Sequence, residues 1–173
     1  DIAEIINDRR YAGPTLLILP KWYAERLPAR AKGARPGWVA LRTAQIPGWT
    51  DELDGVLQMD VRIAELPNEP APDWSAPGGA SGKLPERFRT QGLEAGPWAS
   101  LVRDAGGRDL VGYADDDGCY PVLDAAAGYE TPAEEDCDGK RWTVVVAFEP
   151  DLFNNYGLAD RNRALLAAQV IEL

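Results

Sequence analysis

Apolar and polar positions along this chain follow two rhythms, and each rhythm predicts a different element. In "DIAEIINDRR" the side chains of Ile2, Ile5 and Ile6 share one helical face, and Gly13-Pro14 marks the stop. "TLLILP" follows as a short unbroken apolar run, the pattern of a strand covered on both faces, and its carboxyl end delivers Lys21 and Trp22. "GWVALRTAQIP" and "QMDVRIAELP" alternate as strands do, and each ends at a proline. From Pro67 to Arg89 the pattern dissolves into "PNEPAPDWSAPGGASGKLPER", dense in Pro, Gly, Ser and Ala. That composition predicts a long surface loop within one domain rather than a boundary between two cores. "WASLVRDAGGRDLVGYADDDGCYPVLDA" reads as short strands joined by turns at Gly106-Gly107 and at Asp115 to Gly118. After a second acidic loop, "AAAGYETPAEEDCDG", a last strand from Trp142 to Phe148 runs into "EPDLFNN" and a closing helix from about Leu158.

An opening helix, buried apolar strands and a closing helix, with hairpin material between, predict an α/β fold. The expected arrangement is a mostly parallel sheet with helices on its faces. No internal repeat is evident. A length of 173 residues and a hydrophobic fraction of 45% suit one domain, residues 1–173, with its own core. No apolar run is long enough to cross a bilayer. The chain opens on Asp1 and stops at Leu173 inside an apolar run without a Gly, Asn or Pro stop signal, which suggests a piece excised from a longer protein.

Charge and composition then remove whole classes of function. A formal charge of −10 argues against a nucleic-acid partner. The charge is uneven: Lys21, Arg26, Arg30, Lys32 and Arg35 stand against Glu25 alone, a local +4 that leaves −14 for the rest. Such a segment either faces an anionic partner or lipid headgroups, or is a solvated basic loop. Histidine is absent, which excludes Ser-His-Asp and Cys-His catalysis and the two-histidine zinc helix. Two cysteines cannot build a structural zinc site, and no metal or cofactor is expected. In an oxidising compartment Cys119 and Cys137 are candidates for a disulfide; in a reducing one they are unrelated thiols. Each shortly precedes a strand-like run, "YPVLDA" and "KRWTVVV". The cysteines meet if those runs are parallel neighbours and lie apart in an antiparallel hairpin.

Several stretches imitate sites. "GGASGK", Gly78 to Lys83, has Pro77 and Leu84 where a phosphate loop needs its first Gly and its Ser or Thr, so a flexible loop is the simpler reading. Asp115, Asp116 and Asp117 are consecutive and cannot all converge on calcium; an Asp-Gly turn explains them. Of six tryptophans, Trp22 and Trp74 sit in polar, loop-like surroundings and are the candidates for a binding platform. "EPDLFNN" has two readings. Beyond the carboxyl end of a parallel strand, where α/β proteins bind ligands, Glu149, Asp151, Asn154 and Asn155 would form a binding site with Lys21 and Trp22. As structure, Pro150 ends the strand, Asp151 caps a turn, Asn154 or Asn155 accepts freed amides, Gly157 permits a positive φ, and the charge of Asp160 suits the start of the last helix. The structural reading is the simpler of the two.

The same stretch carries a resemblance. Glu149-Pro150-Asp151-Leu152 after a strand, then Asn155, Gly157-Leu158 and Asn162, resembles the bacterial domain-of-unknown-function family 4350, as does "TLLILPKW" near the start. The resemblance implies a flavodoxin-like layered sandwich related to class I glutamine amidotransferases. It also implies an extracytoplasmic, periplasmic domain of a membrane-anchored parent, often encoded beside a MoxR-type ATPase, with no established activity. Glu149 stands where that family has Asp. The amidotransferase nucleophile and histidine have no counterparts here. The expectation is a non-catalytic binding or assembly module with protein partners, a MoxR-type ATPase system among them, and membrane contact through other parts of the parent. The competing class is a histidine-free hydrolase or small-ligand sensor that uses Glu149 and Asp151 with Lys21.

Overall fold

The computed structural model describes residues 2–9, 12–28, 32–33, 35, 37–53, 55–65, 73–84, 89–131, 137, 142–155 and 157–173. Helix α1 (Ile2–Arg9) leads into β1 (Thr15–Ile18), then β2 (Trp22–Arg26) and β3 (Val39–Ala44). Two short 3-10 turns, Gly48–Glu52 and Gly55–Leu57, precede β4 (Asp60–Ala64), β5 (Asp73–Ser75), β6 (Ser81–Lys83), β7 (Thr90–Ala95), β8 (Trp98–Asp104) and β9 (Asp109–Ala114). Helix α2 (Pro121–Ala127), β10 (Val144–Ala147) and α3 (Arg161–Glu172) complete the order.

Among the described residues eight strands form one sheet in the order β1-β10-β9-β8-β5-β6, with β7 joining the edge of β9 at Leu93 and Asp109 and carrying β4 beyond it. β1 and β10 run parallel; every other described pair in this sheet is antiparallel. The mostly parallel, flavodoxin-like sheet expected from sequence is therefore wrong. The chain turns from β7 to β8 through Gly96-Pro97 and from β8 to β9 through residues 105–108. The short β8–β9 connection can only join antiparallel neighbours, because a parallel pair needs a crossover of a dozen residues or so, whereas β7 and β8 part at Gly96-Pro97 to opposite edges of β9. Unbroken apolar runs reported burial on both faces, and burial does not fix direction. One face carries Leu101, Tyr113, Leu123, Leu152, Leu166 and Val170 under α2 and α3. The other carries Ile6, Leu19, Leu57, Val61, Trp98 and Phe148 under α1 and the 3-10 turns, with the Trp98 and Phe148 rings edge-on at 5.4 Å.

Three local expectations also change. Within the Pro/Gly-rich stretch, residues 73–83 are a β-hairpin that joins the sheet through β5 and β8, and Trp74 is buried there rather than forming a platform. "YPVLDA" is not a strand but helix α2, with Pro121 in its first turn and Gly128 closing it at φ 81°. Cys119 and Cys137 are joined in a disulfide, Cα atoms 5.6 Å apart, across the approach to α2 and the loop before β10. The basic segment begins as β2, which pairs with β3 in a separate antiparallel ribbon; Arg30 lies outside the described residues. No described helix is long and apolar enough to cross a membrane.

Candidate functional site

The site is built where β10 leaves the sheet. β8 holds one edge of β9, while β10 holds the other as far as Val111. There Phe148 N and Glu149 N both donate to Leu110 O, at 2.9 and 3.1 Å, and β7 takes over the edge at Asp109. A fork opens between the departing and arriving strands, and the Glu149 side chain fills it. Its Oε2 accepts from Gln91 N at 2.7 Å and its Oε1 from Asp151 N at 2.9 Å. Gln91 Nε2 donates to Phe148 O at 2.7 Å, tying β7 to the end of β10. Pro150 starts the 3-10 turn Pro150–Leu152, and the cap of that turn is Glu149, not Asp151 as the sequence suggested.

Parallel pairing carries the end of β1 to the same place, Leu19 N donating to Ala147 O at 3.0 Å. Lys21 Nζ then reaches Glu149 Oε1 at 2.6 Å, Asp151 Oδ2 at 2.6 Å and Arg89 O at 3.0 Å. An ammonium has three donors, and all three are used. The Trp22 ring centroid lies 5.1 Å from Nζ, and its Nε1 donates to Asp151 Oδ1 at 3.0 Å. Asn154 Nδ2 gives the same oxygen a second bond at 2.6 Å, and Asn154 Oδ1 accepts from Gly157 N at 2.8 Å. Arg163 on α3 donates to Gly157 O at 2.8 Å, so the last helix braces the turn. Gly157 is required for closeness rather than for a positive φ: a Cβ there would collide with Asp151 O.

Lys21, Glu149 and Asp151 are 1%, 1% and 2% exposed, which makes this a buried cluster of one cation and two acids. Burial pushes the Glu149 carboxyl up to about 7; Lys21 opposes the shift and Asp151 adds to it. Five of the six residues proposed from sequence thus meet in one network, while Asn155 is exposed and makes none of these bonds. Sequence reasoning missed Gln91, Arg89 and Arg163. The signal at Gln91, a polar residue beside the apolar positions of β7, is too common to single it out, and an Arg89 contact made by a backbone carbonyl leaves no trace in sequence.

The cluster faces inward and lines neither of the described cavities. The larger, about 660 Å³, lies at the opposite ends of β1 and β10, floored by Leu16 and Val145 and walled by the disulfide, Val122, Trp142 and Val170. Elsewhere, Gly78 and Gly79 form the β5–β6 turn, and Asp116 Oδ1 accepts from Gly118 N and Tyr120 Oη, as a turn residue does. Among the described residues no three His, Cys, Asp or Glu are grouped to hold a metal. Most of the acidic loop Glu134 to Asp138 lies outside the described residues. Compared with known proteins, the chain matches no family model, and no curated protein or solved structure is significantly similar to it.

Proposed function

We propose that the domain is a non-catalytic binding or assembly module on the extracytoplasmic side of a membrane-anchored parent, the setting that its resemblance to family 4350 implies. The observation that carries this reading is the closure of the acid–lysine cluster. A hydrolase or sensor needs its acids to face a substrate, whereas these carboxylates face Lys21, Trp22, Asn154 and backbone amides. The disulfide supports an oxidising compartment.

The contact surface is the β2–β3 ribbon, which grows directly out of Lys21. It is solvated on most of its positions, with Tyr23, Trp38 and Leu41 at 57%, 52% and 55% exposure. Arg26, Lys32, Arg35 and Arg42 are exposed on or beside it. A two-stranded ribbon is marginal by itself, and Tyr, Trp and Arg are the residues that protein interfaces favour. Its positive charge on an acidic protein selects an acidic protein partner. The test is titration of the purified domain with the purified products of neighbouring genes, including the membrane-side components of any MoxR-type ATPase system. Binding that weakens in Trp38→Ala and Arg42→Glu, and at raised salt, supports the reading. Binding indifferent to both substitutions, or none at all, overturns it.

A further inference from the structure

We propose that Lys21 and Asp151 condense into an intramolecular isopeptide bond. Nζ of Lys21 bonds to Cγ of Asp151, the Cγ–Oδ2 bond breaks, and one water leaves. Ammonium and carboxylate become a neutral amide, so charge and atoms balance without any oxidant or co-reactant.

Each part of an acyl-transfer site is present, aimed at the protein's own side chain. The nucleophile touches its target, Lys21 Nζ standing 2.6 Å from Asp151 Oδ2 with the carboxyl carbon one bond behind that oxygen. Holding reactants in contact supplies most of what an uncatalysed condensation lacks. The other carboxyl oxygen, Oδ1, would carry the charge that develops on attack, and it already accepts from Trp22 Nε1 at 3.0 Å and Asn154 Nδ2 at 2.6 Å. Two fixed donors at that position act as an oxyanion hole. The proton carrier is Glu149, whose Oε1 lies 2.6 Å from the same Nζ. It first takes a proton from the Lys21 ammonium, which frees the lone pair that attacks, and later a second from the newly bonded nitrogen; it delivers both to Oδ2, which leaves as water, and ends as it began. Burial pushes this carboxyl up to about 7, the range in which it both accepts and returns a proton.

The geometry also says which acid reacts. Glu149 Oε1 is held by the Asp151 amide as well as by lysine, and Oε2 by the Gln91 amide, so neither oxygen is set to depart. Asp151 Oδ2 pairs with Lys21, while both extra donors sit on Oδ1. Burial supplies the direction of the reaction. The Lys21 and Asp151 side chains are 0% and 3% exposed, so condensation removes an ion pair that is costly to keep dry, and water returns to reverse it only with difficulty. The bond would fasten the ends of the parallel strands β1 and β10, neighbours in the sheet and the first and last of its strands along the chain. Tension applied between α1 and α3 would then pass through the cross-link and bypass everything between, which suits a module that holds an assembly together.

The test is the intact mass of the folded, full-length chain after reduction of its disulfide, followed by fragmentation of a tryptic digest. The expected result is a mass short of the sequence value by one water, and a branched peptide joining Lys21 to Asp151. Lys21→Arg and Asp151→Ala should show no such loss, and Glu149→Ala should show none or a slow one. Because these variants disturb a buried cluster, Asn154→Ala serves as a milder one in which the water loss should develop more slowly. A wild-type chain at its full sequence mass overturns the proposal. So does a water loss mapped elsewhere, to Glu149 or to a succinimide at an Asp-Gly pair such as Asp117-Gly118.

Discussion

Replacing Glu149 with glutamine should change how stability depends on pH, with a sign that the structure fixes. In the unfolded chain a glutamate titrates near 4.5, and in the fold burial raises Glu149 to about 7. The folded state therefore holds the proton more tightly. Its contribution to stability is complete below 4.5 and is lost as pH rises to about 7. At about 1.4 kcal/mol per unit of displacement, that loss amounts to roughly 3 kcal/mol. Glutamine has no proton to lose, so the variant should gain on the wild type by about that amount across the window. A single side-chain oxygen cannot serve both Gln91 N and the Asp151–Lys21 side, so the substitution also carries a cost of about 1–3 kcal/mol. That cost, together with the loss of the Lys21–Asp151 cross-link, does not depend on pH and shifts the whole curve without changing its slope. The measurement is urea unfolding of both proteins at a series of pH values from below 4.5 to above 7, and the quantity read is the difference between them. Taking the difference cancels the titration of every group that the two proteins share. A difference that stays flat, or that moves toward the wild type as pH rises, would refute the claim that burial dominates at Glu149.

Gly157→Ala drives a methyl into the backbone oxygen of Asp151 and should cost about 3 kcal/mol or more, read by urea unfolding, since the turn cannot swing aside as a flexible side chain would. Cys119→Ser should lower stability by roughly 3 kcal/mol, the value for closing a loop of this size. Reductant should lower the wild-type melting temperature to a similar degree and leave the variant unmoved. Asp160→Ala removes the side chain that accepts from Asn162 N and Arg163 N at the start of α3 and should cost about 1 kcal/mol in the same unfolding assay.

The "EPDLFNN" turn is thus both punctuation and a cluster of chemistry. Glu149 caps the turn and fills the strand fork through the same carboxylate that reaches Lys21. Local reasoning assigned the cap to Asp151 because Asp is among the side chains that cap turns best. It could not see that Trp22 and Asn154 would draw that side chain inward.

What the sequence determined was local. Apolar periodicity marked α1, β1, β3, β4, β10 and α3, because a run of buried side chains leaves its period whatever it packs against. The absence of histidine removed whole reaction classes without any coordinates. What only the tertiary structure decided was direction and company. Strand direction depends on which edges meet, and β7 and β8 meet opposite edges of β9, both antiparallel to it, which a burial pattern does not record. The Pro/Gly-rich stretch looked like loop because β5 and β6 are three residues each, too short to show a period, and they become strands only by pairing with one another and with β8. Lys21 and Asp151 are far apart in the chain, and neither residue type signals burial. They become a reactive pair because β1 and β10 run parallel and end side by side, a fact of hydrogen-bonded register that belongs to the fold alone.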